Sequence, residues 1–261
     1  MFEIVRSNDT LNKVLSYIGE DYFNCPYLYA NLKRYGVDDD KINVYIDNNE
    51  KSELSCVALM YYDCLHLYYD KSFSVVCNIR ELIEKLKPRT IFSPSYEERM
   101  NPDYSGYHGK VVLVMSPKCF LDIDTSKVKN ATIKDISRIA EFMYTFWDDI
   151  YESPKIISQQ MKERMLDNYG RTKFIEDSGE IVACVSSYAE LDNFAINSGL
   201  LVADSQRGKK IGSVMLKSIY EELENEGKKT CGIIVDDYSR IFHEKNGFEV
   251  VGKLMKYSCN V

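Results

Sequence analysis

The sequence predicts an α/β protein built as two similar domains. Three observations lead there: the order of strand-like and helix-like segments in the C-terminal half, a fainter copy of that order in the N-terminal half, and the placing of glycine. Nine of the 13 glycines lie from Gly170 onward and none falls between Gly36 and Gly106. Positions that need close backbone approach or a positive φ are therefore concentrated in the second half. The 261 residues suffice for two domains of about 100–150 residues each. A content of 45% hydrophobic and 28% charged residues is that of a folded globular chain.

In the C-terminal half, VKNAT (128–132) reads as a short strand. Thr132 or Asp135 can cap a helix whose apolar positions Ile136, Ile139, Phe142, Met143, Phe146 and Ile150 follow helical spacing. A second helix over 156–168 is expected to stop at Tyr169-Gly170, with Gly170 as the left-handed residue. Residues 171–177, the turn Ser178-Gly179 and residues 181–189 form a hairpin pattern. A strand over 194–203, a helix to about Glu226, a strand over 227–237, a short helix over 238–246 and a strand over 248–258 complete the order β-α-α-β-β-β-α-β-α-β. The N-terminal half repeats it in outline. LKRYG (32–36) closes helical material, and INVYID (42–47), ELSCVALMYY (53–62) and CLHLYYD (64–70) follow as strands. A helix over 76–87 and strands near 90–93 and 110–115 come after. The expected division is 1–117, a connector 118–127, and 128–261; a single mixed domain with a long N-terminal decoration is the alternative.

Composition narrows the function. The eight Cys, at 25, 56, 64, 77, 119, 184, 231 and 259, contain no CxxC pair, which fits a reducing cytoplasm. Three scattered His give little from which to build a zinc site, so no metal is expected. Residues 1–130 carry 16 basic and 19 acidic side chains and the whole chain has a net charge of -7, so no nucleic-acid partner is expected. Apolar runs such as 111–115 fall far short of the ~20 residues that cross a bilayer, and the start MFEIVRSNDT has no leader pattern; no membrane partner is expected. No segment marks an interface between copies. The acidic balance would weakly steer a cationic acceptor.

The segment that carries chemistry is LLVADSQRGKKIGSVMLKSI (200–219). A strand enters a short basic loop and then an amphipathic helix, whose first turn offers unpaired N–H groups and the positive end of its dipole. Gly208 lets the loop turn towards an anion, Gly212 removes a Cβ from the helix start, and Arg207, Lys209 and Lys210 add positive charge. This is a pyrophosphate cradle, with neither GxxxxGK[ST] nor GxGxxG.

Arg207-Gly208-Lys209-Lys210-Ile211-Gly212 resembles the acetyl-CoA loop Q/R-x-x-G-x-G/A of the GNAT acyltransferase superfamily. It departs at Lys210, where the family usually has Gly. RIFHEKNGFEVVG (240–252) is similar to the family's closing LYEKLGF helix-turn-strand. The resemblance covers about half the chain and implies a mixed, mostly antiparallel central sheet flanked by helices. It implies acetyl-CoA as cofactor, with CoA as product. It also implies that the backbone of Leu200, Leu201 and Val202 pairs with the pantetheine arm, and that the N–H groups from Gly208 through Ile211 and Gly212 to Ser213 hold the pyrophosphate. His243 stands where the family often has the Tyr that protonates the leaving thiolate. Asp236 stands where an Asn touches the cofactor arm, although Asp236 also suits the cap of the next helix.

The amine must lose a proton to attack, and a thiolate of pKa near ~8.5 leaves more easily when protonated; His243 is suited to that donation. Residues 193–202 contain no carboxylate, so Glu190, with Asp192 beside it, is the nearest candidate base. The run Trp147-Asp148-Asp149-Ile150-Tyr151-Glu152 could give a cationic acceptor carboxylates and aromatic walls, or Phe146 and Ile150 could be core. The N-terminal counterpart of the cradle, DKSFSVVCN (70–78), has no Gly and one Lys, as a domain that has lost the site would. These observations lead to an acetyl-CoA-dependent N-acetyltransferase acting on a small-molecule or peptide amine by direct attack in a ternary complex. The alternatives are a non-catalytic acyl-CoA sensor and a transferase for a longer acyl group.

Overall fold

The computed structural model describes residues 2–37, 39–70, 77–96, 103–148 and 150–259. The chain forms two compact units, one of Met1–Val114, Ile234–Arg240 and Val250–Val261, the other of Met115–Ile233 and Ile241–Glu249. The expected connector 118–127 lies between the last strand of the first repeat and the first strand of the second. Sequence order alone does not convey that two C-terminal segments group with the first unit.

The first unit contains β1 (Glu3–Ile4), α1 (Asn8–Ile18), a 3-10 turn at Asp21–Asn24, α2 (Pro26–Tyr35), β2 (Ile42–Asn48), β3 (Leu54–Tyr61), β4 (Cys64–Tyr68), α3 (Cys77–Leu86) and β5 (Thr90–Pro94). β1 to β4 pair antiparallel in sequence, whereas β4 and β5 pair parallel, because α3 carries the chain across between them. Alternating residues Cys56, Ala58, Leu65 and Leu67 meet Ile79, Leu82 and Ile83 of α3 in one core. β6 (Tyr107–Pro117) follows. Residues 71–76 lie outside the described residues, so the expected start of the α3 helix at 76 is not addressed.

The second unit repeats the order: β7 (Lys129–Asn130), α4 (Ile136–Trp147), α5 (Pro154–Leu166), β8 (Thr172–Asp177), β9 (Glu180–Glu190), β10 (Phe194–Val202), α6 (Ile211–Asn225) and β11 (Lys229–Ile234). Again the first four strands pair antiparallel and the last pair, β10 with β11, is parallel. The expected mixed, mostly antiparallel sheet and its repeat are present in both units. Ile136, Ile139, Ala140 and Met143 of α4 bury with Ile157 and Met161 of α5 against Phe174 and Cys184. On α6 the buried stripe is Met215, Leu216, Ile219, Tyr220 and Leu223. Then come α7 (Asp237–Lys245) and β12 (Phe248–Cys259). β12 pairs antiparallel with β5, Leu254 opposite Pro94 and Ser258 opposite Thr90, so the last strand completes the sheet of the first unit.

Two expectations need correction. The left-handed residue after α5 is Asn168, at φ 52°, and not Gly170. Gly170 is required for a different reason, since a Cβ there would lie 2.9 Å from the carbonyl oxygen of Ser187. Ile150 is also not core: it is 67% exposed, beyond the end of α4. The Ser178-Gly179 turn is as expected, with both residues at positive φ, the requirement of a type I′ hairpin turn.

Candidate functional site

β10 decides the site. On one side it pairs with β9 as far as Val202 opposite Ala183; on the other it pairs with β11 only from Phe194 to Asn197, opposite Lys229 to Gly232. Beyond Asn197 the two parallel strands part, and the edge of Ser198–Val202 that β11 would have covered is left open. The strand is irregular there, with register shifts at Ile196/Asn197 and Ser198/Leu201 and Gly199 at φ 67°. Gly199 is needed for space as well, because a Cβ would come within 3.2 Å of Met143 Cε and 3.3 Å of Trp147 Cη2. The end of α4 thus rests on the bulge. Leu200, Leu201 and Val202 are half-buried.

From Val202 the chain passes through a 3-10 turn (Asp204–Gln206) into the loop and α6. Gly208 has φ 79° and Lys210 φ 61°. α6 has no side-chain cap. Among the described residues, no protein group accepts the backbone N–H of Gly208, Lys209, Lys210, Ile211, Gly212 or Ser213; the first bond into the helix runs from Val214 N–H to the Lys210 carbonyl. Six consecutive donors are therefore left without a protein acceptor at the positive end of a 15-residue helix. Arg207 pairs with Asp204 at 2.9 Å and Lys209 Nζ donates to Gln206 Oε1 at 2.9 Å, while Lys210 is exposed. Gly212 lies under the ring of Phe242, whose Cζ would be 3.0 Å from a Cβ there.

The left-handed backbone at 210 explains why Gly suits this position and what Lys costs. A left-handed non-glycine residue is disfavoured by about 1–2 kcal/mol, part of which glycine gives back through its freer unfolded chain. Lys210→Gly is expected to raise stability by roughly 0.5–1 kcal/mol, read as an upward shift of the urea midpoint at constant slope.

Glu190 is held in an ion network. It lies at the end of β9 opposite Ala195, while the cradle follows Val202, about seven residues and roughly 23 Å along the sheet. Both its carboxylate oxygens are held by Arg171, Nε to Oε1 at 2.8 Å and Nη2 to Oε2 at 2.7 Å, and Ser187 Oγ donates to Oε1 at 2.6 Å. Arg171 also reaches Glu222 in the last turn of α6 and Glu226 just past its end. Glu190 is thus one side of a buried ion network at the end of α6 away from the cradle. Asp192 is exposed in the turn after it.

Asp236 caps α7: Ser239 N–H donates to Oδ1 at 2.7 Å and Ser239 Oγ to Oδ2 at 2.9 Å. The backbone bond from Ser239 outweighs the opposing effect of burial and holds its carboxyl below the usual range. Its two oxygens are committed to the helix start, which the cap reading anticipated. His243 is buried on α7, with ring edges against Phe242 (5.5 Å) and Phe248 (5.2 Å). It follows directly on the residue that covers Gly212. At the end of α4 and in the loop after it, Trp147 and Tyr151 lie 5.9 Å apart, Asp148 and Glu152 are exposed, and Asp149 lies outside the described residues.

In the first unit β4 likewise leaves β5 after His66 opposite Phe92, while it stays with β3 to Tyr68. Here the opening is closed: the buried Tyr96 hydroxyl donates to the Tyr69 carbonyl at 2.8 Å. The stretch 70–78, where a second cradle would stand, falls largely outside the described residues. Sequence reading missed Arg171, Gly199 and Tyr96; a lone Arg, Gly or Tyr carries no local signal of a partner far along the chain.

Residues 169–250 match the acetyltransferase (GNAT) domain model. Over that stretch the chain is similar to a GNAT domain. Solved GNAT structures align with nearly the whole chain. An acetyltransferase from the GNAT family of Colwellia psychrerythraea covers 100% of both chains with a TM-score of 0.62 at 12% identity. A GCN5-related N-acetyltransferase-like protein from Streptococcus suis covers 97% of this chain and 99% of its own, with a TM-score of 0.60 at 13% identity. A tandem GNAT protein from the clavulanic acid biosynthesis pathway covers 99% and 98%, with a TM-score of 0.60 at 10% identity. At these identities the likeness is one of fold. No curated protein sequence matches the chain. The GNAT match runs from β8 to the start of β12 and so contains the parted strands and the six free donors.

Proposed function

We propose that the GNAT domain is an acetyl-CoA-dependent N-acetyltransferase acting on a primary amine by direct attack. The observation that carries this reading is the open edge of β10 followed, after one 3-10 turn, by six unpartnered N–H groups. An extended amide-bearing arm ending in a pyrophosphate matches both parts. Leu200 to Val202 would pair with the arm as a strand pairs, and Gly208 to Ser213 would hold the diphosphate, with Arg207, Lys209 and Lys210 offsetting its charge. What the bound cofactor supplies is an activated acetyl thioester. A free N–H on the open edge of β10 polarises the thioester carbonyl, and His243 is the proton donor for the departing sulfur.

With Glu190 bound by Arg171 and no carboxylate on β10, the amine arrives already neutral or loses its proton to water. Trp147 and Tyr151 offer an apolar wall and Asp148 and Glu152 negative charge, which favours a cationic amine on an apolar or aromatic body. The same lack of a side-chain base favours a second reading, an acyl-CoA sensor without turnover.

Calorimetric titration with acetyl-CoA, followed by thiol release with a panel of amines and of acyl chain lengths, tests both. The expected result is one equivalent bound per chain, because Tyr96 closes the opening in the first unit, and amine-dependent release of CoA. Binding with no release from any amine would establish the sensor; no binding would remove both readings.

A further inference from the structure

In the first unit a small cavity lies where α2 begins, lined by Cys25, Tyr27, Leu28, His66, Phe92 and Leu254. α2 has no side-chain cap at Cys25. Its backbone bonds start with Tyr29 N–H to the Cys25 carbonyl, which leaves the N–H of Leu28 without an acceptor among the described residues although Leu28 is 1% exposed. Across the cavity stands His66, 6% exposed. Its ring is parallel to that of Phe92 (centroids 5.6 Å apart, 6° between planes) and lies 5.6 Å from that of Tyr27, and all three residues line the cavity. Among the described residues no hydrogen bond joins either ring nitrogen to the protein. Burial pushes the pKa of His66 down to about 3, so the imidazole is neutral, with one nitrogen accepting and the other donating.

Leu28, with its unaccepted N–H, and His66, with its unpartnered imidazole, thus line one space. We infer that this cavity is the binding site of one internal water molecule, which accepts from Leu28 N–H and donates to a ring nitrogen of His66. The volume open to a water's centre is about 10 Å³, room for a single molecule and too little for an oxyanion. A halide would bring a net charge against a neutral imidazole and a Cys25 thiol that burial keeps protonated. The water takes the place of a side-chain cap and ties the start of α2 to β4, and through Leu254 the cavity is walled by β12 as well.

A crystal structure of the full chain at high resolution tests this. One ordered peak is expected within hydrogen-bond distance of Leu28 N and a His66 ring nitrogen. It should persist in His66→Gln, whose amide still offers a donor and an acceptor, and vanish in His66→Leu. In solution, water magnetic relaxation dispersion should count one fewer long-lived water in His66→Leu than in wild type. No peak in wild type, a peak unchanged in His66→Leu, or density too strong for water would each overturn the assignment. The wild-type experiment decides even if the leucine variant does not fold.

Discussion

Gly212→Glu is expected to lower acetyl-CoA affinity at least a hundredfold, the largest effect of any single change in the cradle. Two effects act together. The new Cβ would lie 3.0 Å from Phe242 Cζ and displace α7 from the first turn of α6. The carboxylate would sit among the six free N–H groups, where it takes up donors meant for a diphosphate and repels its charge. Calorimetric titration measures the loss, and circular dichroism separates it from unfolding. Gly212→Ala isolates the first effect, since it adds the Cβ without the charge, and should fall between wild type and Gly212→Glu. An unchanged affinity in Gly212→Glu would mean that the anion binds elsewhere.

Arg171→Leu should destabilise the second unit by about 3 kcal/mol, the cost of leaving a buried charge without its partner. Glu190 has a side chain only 6% exposed, and its strongest ion pair is with Arg171 at 2.7 Å. The remaining cation near it, Lys228, stands 3.9 Å away. The double variant Arg171→Leu/Glu190→Leu should recover much of the loss, because an apolar pair of similar size removes the uncompensated charge. Urea midpoints of the three proteins check both statements. Acetyl-CoA affinity should be unchanged, since the network joins the far end of a helix some ~22 Å long.

The network also fixes an acid dependence. Hydrogen bonding to Arg171 holds Glu226 at about 2, and bonds from Lys173 and Arg171 outweigh burial to lower Glu222. A carboxylate depressed in the folded state contributes stability that is complete above its unfolded value of ~4.3 and is lost as the pH falls through the folded one. Wild type should therefore lose stability between about pH 4 and 2, and Arg171→Leu should show a flatter acid limb.

Much of this was legible in the sequence because it is local. The turn Ser178-Gly179, the basic loop from Arg207 to Gly212 and the cap at Asp236 each depend on residues within a few positions of one another. The repeat was legible as an order of periodic segments. What was not legible depends on distant partners. Nothing near Asn197 says that β11 leaves at that point, because the pairing is with residues past the whole of α6. Glu190 looked free beside a strand without carboxylates; its captor, Arg171, pairs with it across the β8–β9 hairpin. Gly170 looked like a helix stop and is in fact a close backbone approach to Ser187, with Asn168 taking the left-handed conformation.

The pairing of β12 with β5 sets a schedule for the growing polypeptide. As translation proceeds, residues of the first unit leave the ribosome long before the strand that finishes their sheet. Until residues 250–259 emerge, the outer edge of β5 has no neighbour on that side from β12, and the cavity beside His66 lacks its Leu254 wall. An uncovered strand edge invites wrong partners. The first half of the message is therefore expected to yield a nascent chain that relies on holding factors, while the C-terminal strand made last closes both.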